Sequence, residues 1–104
     1  MSSVDFSYLE SVVGGEISIA LEVVALFREQ APQWAAGLDS ANPEWRAVAH
    51  TVKGAARGIG ANALGDACDA AERGDPGDLP AARAELEAAV NDIVAYEAAR
   101  GGRG

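Results

Sequence analysis

Glycines and prolines cut this chain into pieces of helix length, and that spacing constrains the fold more than any other feature. Breaks fall at Gly14-Gly15, around Pro43, at Gly58 and Gly60, and through Gly74-Asp75-Pro76-Gly77-Asp78. Each marks a turn or loop by its backbone chemistry: glycine admits left-handed φ, and proline ends a helix. Between the breaks alanine is abundant and apolar residues recur at helical spacing. No run alternates apolar and polar in the manner of a strand, and no internal repeat is visible.

Five pieces result. The first spans Asp5 to Val13, with Phe6, Leu9 and Val13 on one face. The second starts near Glu16 and carries Ile17, Ala20, Leu21, Val24, Phe27 and Ala31, with Trp34, Ala35 and Leu38 continuing past Pro32. Pro32 predicts a kink or break there. Asn42 is the expected N-cap of the third helix, Pro43 its first residue, and Glu44 suits its dipole. That helix ends near Ile59. The fourth runs from about Asn62 to Arg73, with Leu64, Ala67, Cys68 and Ala71 inward. The fifth runs from Leu79 to about Ala99, with Leu79, Ala82, Leu86, Ala89, Val90 and Ile93 in register. The tail Gly101-Gly102-Arg103-Gly104 should fray. The expected fold is all-α: an up-down four-helix bundle with a short additional N-terminal capping helix.

A chain of 104 residues with 49% hydrophobic content has material for one domain and a real core. Its net charge of −8 argues against nucleic acid. Cys68 is alone, so no intrachain disulfide forms, and it reads as a small core residue. The N-terminus lacks the features of a signal peptide, and no apolar run reaches the ~20 residues that span a bilayer. These readings predict a cytoplasmic monomer. One histidine and one cysteine provide no clustered metal ligands.

The third helix holds the only histidine, His50. At 100° per residue, Trp45, Val48, Val52, Ala55 and Ile59 share a stripe. His50 falls on the opposite face beside Arg46, Lys53, Gly54 and Arg57. No acidic residue lies between Trp45 and Gly65, so those three cations give this segment a local charge of +3. A basic island on an acidic chain predicts a site that meets an anion. Gly54 leaves the ring unshielded, although a glycine within a helix costs ~1 kcal/mol relative to alanine.

The third and fourth helices form a hairpin turning about Gly60-Ala61. Reflection about position 61 places His50 level with Glu72. A carboxylate accepting from Nδ1–H would fix the tautomer that leaves Nε2 free to attack. Lys53, at i+3, places an ammonium able to neutralise a phosphoryl group. Ala47 and Ala49, flanking the ring, are the expected docking surface for a partner. Blander readings stand beside these. Lys53 and Arg57 would solvate an exposed face, Gly54 would serve packing, and Glu72 would be an ordinary surface carboxylate. Trp34, Trp45 and Phe27 read as core.

His50-Thr51-Val52-Lys53-Gly54, followed by Gly60-Ala61 and Leu64, resembles the histidine phosphotransfer (HPt) domain family. So do Phe27-Arg28-Glu29-Gln30-Ala31-Pro32 and the order of helices along nearly the whole chain. The resemblance implies that His50 carries a phosphoryl group, that Lys53 assists it and that Glu72 hydrogen-bonds the ring. It leaves the role of Arg57 open. It further implies a phosphorelay carrier passing phosphoryl groups between a histidine or hybrid kinase and receiver-domain aspartates. No P-loop is present, so ATP-dependent kinase activity is not expected. Nor is a cofactor of its own, the Mg²⁺ belonging to the receiver. The alternatives are a non-catalytic helical adaptor and the phosphotransfer module of a longer histidine kinase; Met1 and the glycine-rich tail favour a free-standing carrier.

Overall fold

The computed structural model describes residues 3–101. It contains five α-helices: α1 (Phe6–Val12), α2 (Ile17–Gly37), α3 (Trp45–Ile59), α4 (Asn62–Arg73) and α5 (Leu79–Arg100). Among the described residues there is no strand. The long helices form a ring in which α2 packs on α3, α3 on α4, α4 on α5, and α5 back on α2. Helix α1 lies across α2 and α3. The bundle measures 40 × 23 × 22 Å. This is the expected up-down bundle with a capping helix. The expected fraying of Gly102-Arg103-Gly104 lies outside the described residues.

One apolar stripe from each helix builds the core. Val24 and Phe27 come from α2, Val52 and Ile59 from α3, Leu64 and Cys68 from α4, and Leu86 and Ile93 from α5, all buried. Burying such a side chain contributes roughly 1.5–3 kcal/mol. Alanines fill many of the remaining inward positions, including Ala49, Ala56, Ala71, Ala82 and Ala89. With only a methyl group at those places, the backbones approach closely. Phe27 meets Trp34 edge to face at 5.1 Å, and Trp45 is buried, so the aromatic residues act as core.

At Pro32 the structure excludes a break, and at the start of α3 it differs from expectation. Helix α2 is not broken at Pro32 but runs on to Gly37. Proline deprives the Arg28 carbonyl of its usual donor. Pro32 is on the exposed face, where water can take that place, while Ala31 before it and Leu38 after it remain buried. Helix α3 begins at Trp45, not Pro43. Asn42 caps the preceding turn instead, its Oδ1 accepting from Glu44 N–H at 3.0 Å and its amide donating to the Gly37 carbonyl at 2.9 Å.

The turn between α3 and α4 determines their alignment. Gly60 adopts φ +84°, and its amide and that of Ala61 close onto the last turn of α3. A Cβ at Gly60 would lie 2.7 Å from the Asp5 carbonyl oxygen, and that residue's own amide donates to the Gly60 carbonyl. Left-handed backbone and close approach both require glycine here. Gly60→Ala is therefore expected to destabilise the bundle by about 2 kcal/mol or more in urea unfolding. An unchanged midpoint would show that the hairpin does not depend on this turn.

Candidate functional site

His50 projects from the middle of α3 into water, its side chain 68% exposed. The core face of that helix is formed by Trp45, Ala49, Val52, Ala56 and Ile59. Val48 and Ala55, expected on the stripe, flank it and are partly buried. Ala49 thus belongs to the core and offers no docking surface, contrary to expectation. It sits one residue from His50, a 100° turn that carries it inward. Ala47 is exposed as expected.

Glu72 comes across from α4 and meets two side chains on the outer face of α3. Its Oε2 lies 2.8 Å from His50 Nδ1, and its Oε1 lies 2.8 Å from Lys53 Nζ. Lys53 also donates to Asp69 Oδ1 at 3.3 Å, and Arg73 holds the other oxygen of Asp69 at 2.9 Å. The ion contact with Lys53, ahead of that with His50, holds the Glu72 carboxyl below its usual range. Contact with Lys53 does the same for Asp69, and the two carboxylates hold the ammonium above its ordinary value. Hence Glu72 is ionised at neutral pH and accepts only. Nδ1 must then supply the hydrogen, and in the neutral ring Nε2 carries a free lone pair facing solvent.

The remaining residues have more specific places than the sequence suggested. Arg46 is not a free anion ligand. Its Nε donates to the Glu72 carbonyl at 3.1 Å and its guanidinium to the Gly74 carbonyl at 2.7 Å, with the group 4.4 Å over the Trp45 ring. It satisfies carbonyls left open where α4 ends. Arg57 lies over Gly65 and pairs with Asp66 at 3.3 Å. A Cβ on Gly65 would meet the Arg57 side chain at 3.0 Å. Of the three cations, Lys53 and Arg57 are answered by Asp66, Asp69 and Glu72 on α4, and with Arg46 and Arg73 counted the face carries little net charge. Sequence reasoning missed Asp66, Asp69 and Arg73. The reflection that pairs His50 with Glu72 also sends Lys53 to Asp69 and Arg57 to Gly65, beside Asp66.

Gly54 has nothing within 4 Å of the place a Cβ would occupy. It serves no packing, and it leaves open space one turn beyond the ring. The Cys68 thiol, raised to about 11 by burial, is inert in the core.

The model of the Hpt domain family matches residues 22–96, a span that contains this whole arrangement. The chain belongs to the Hpt domain family. The crystal structure of histidine phosphotransferase ShpA from Caulobacter crescentus is 46% identical to this Hpt domain, with a TM-score of 0.88. The similarity covers 98% of this chain and 97% of that one. No curated protein sequence matches it.

The pH dependence of this Hpt bundle follows from its lowered carboxyls. Their stabilising contribution is complete above the ordinary glutamate value of 4.5 and is lost as pH falls through the lower folded value. Between pH 7 and 3, the melting temperature of the native chain should fall further than that of Glu72→Gln, as read by circular dichroism. Parallel curves would show that Glu72 gains nothing from its two contacts.

Proposed function

We propose that His50 is the phosphoacceptor of a phosphorelay carrier, exchanging a phosphoryl group with receiver-domain aspartates and accepting it from a histidine or hybrid kinase. The observation that carries this reading is the exposed ring with Nδ1 engaged by an ionised carboxylate. Family membership supports it, as does the likeness to a histidine phosphotransferase.

In the transfer step, the Nε2 lone pair attacks the phosphorus of a receiver phospho-aspartate in line. The Nε2–P bond forms as the P–O bond to aspartate breaks, and the electron pair leaves with the receiver carboxylate. The proton stays on Nδ1. The ring becomes cationic, and Glu72, 2.8 Å away, stabilises that charge. Lys53 turns toward the phosphoryl oxygens. The chemistry is chiefly positioning and charge neutralisation, with Mg²⁺ and acidic groups supplied by the receiver. The carrier itself acts as a monomer, needs no cofactor and draws no phosphoryl group from ATP.

Docking falls to the small-residue side of α3. Ala47, Thr51, Gly54 and Gly58 are exposed there. An apolar groove of about 330 Å³ adjoins them between α2 and α3, lined by Val23, Leu26, Phe27, Trp34, Ala55 and Gly58. Leu26 is 64% exposed, which suits a protein partner more than water. Near-neutral charge on this face assigns binding to shape and apolar contact rather than to long-range steering.

A phosphorylated receiver or a hybrid kinase with ATP should leave acid-labile, base-stable label on the native chain and none on His50→Gln, whose helical signal should be unchanged. Retained label on that variant would remove His50 from the reaction, and absence of label from the native chain with every receiver would favour an adaptor. Gly54→Ala should be neutral or stabilise by up to about 1 kcal/mol, because its Cβ meets nothing. Gly54→Gln should weaken receiver binding about tenfold in titration calorimetry, and equal binding by both variants would place the interface elsewhere.

A further inference from the structure

Lys53 is shared. Its ammonium sits between Glu72 Oε1 at 2.8 Å and Asp69 Oδ1 at 3.3 Å, with the side chain only 19% exposed. Asp69 stands one turn before Glu72 on α4, and Arg73 fixes its second oxygen from the next turn. Charges within the cluster cancel: Lys53 and Arg73 against Asp69 and Glu72, with the ring neutral. A phosphoryl dianion arriving on Nε2 therefore finds no uncommitted positive charge within this cluster, and Arg46, one turn before the ring, is held away by two backbone carbonyls. Lys53 can serve it only by giving up a carboxylate. Glu72 is also tied to the ring, and its contact with Lys53 is the shorter one. Asp69 is the partner released.

We propose that Asp69 is a positioning residue that holds Lys53 in reserve, so that phosphohistidine at His50 stays a ready donor. The proposal rests on His50 being the phosphoacceptor. Phosphorylated His50 competes with Asp69 for one ammonium. Separation of that ammonium from Asp69 raises the free energy of the phosphorylated carrier. The transfer equilibrium then leans toward the receiver aspartate. With asparagine at this position the ammonium is unopposed, and the phosphoryl group is held more firmly on the histidine.

The test is the equilibrium ratio of phosphohistidine to receiver phospho-aspartate, measured with one cognate receiver. Asp69→Asn should shift it about threefold to fivefold toward histidine, the scale of a partly exposed ion pair. Asp69→Glu should keep the native ratio. In a Lys53→Gln background, Asp69→Asn should produce no further shift. An unchanged ratio, or the same shift with and without Lys53, would overturn the proposal while His50 still takes label. Loss of label on the native chain would instead overturn the phosphoacceptor reading. Should Asp69→Asn lose its helical signal, the native chain decides the matter. Phosphoramidate forms the Nε2–P bond with loss of ammonia, and the Lys53 Cε resonance should then move. A Lys53 resonance that stays in place would overturn the proposal.

Discussion

One carboxylate joins the two helices that matter. Glu72 uses its two oxygens separately, one for the His50 ring and one for the Lys53 ammonium, each at 2.8 Å. The carboxyl is ionised at neutral pH, so the oxygen facing the ring can only accept, and this determines which ring nitrogen bears hydrogen. The tautomer of an exposed imidazole is thus decided by a carboxylate of the neighbouring helix.

That arrangement requires α3 and α4 to lie in register, and the bundle secures both ends. At one end, Gly60 makes a left-handed turn that only glycine tolerates against Asp5. At the other, Arg46 of α3 binds the carbonyls of Glu72 and Gly74, where α4 finishes. Between them, Leu64, Cys68 and Ala71 of α4 are buried, as are Val52, Ala56 and Ile59 of α3. Along the outer edges of the two helices Lys53, Arg57 and Arg73 pair with Asp66, Asp69 and Glu72, so the face around His50 is ordered and carries little net charge.

Much of this was legible in the sequence. The bounds of α4, the end of α3 and the outward placement of His50 follow from glycine spacing and helical periodicity, which are local properties. The Glu72 contact follows from a simple reflection about the hairpin turn. What local reading missed came from the neighbouring helix. Counting charge along Trp45 to Gly65 gave a basic island, but the answering acids lie in the next segment. Arg46 read as a free cation because its acceptors are backbone carbonyls, which no sequence pattern displays. Ala49 read as surface because it adjoins His50, although one residue along a helix is enough to turn a side chain inward. Pro32 left a kink and a break both open because its effect on one hydrogen bond is local, whereas the burial on either side of it, which keeps the helix continuous, is tertiary.

The tautomer of His50 is the most direct test of this account. Long-range ¹H–¹⁵N correlation spectra of the imidazole, recorded where the ring is neutral, should show hydrogen on Nδ1 and a bare Nε2. A ring protonated at Nε2 would contradict it, since the nitrogen facing the partner would then have no lone pair with which to attack.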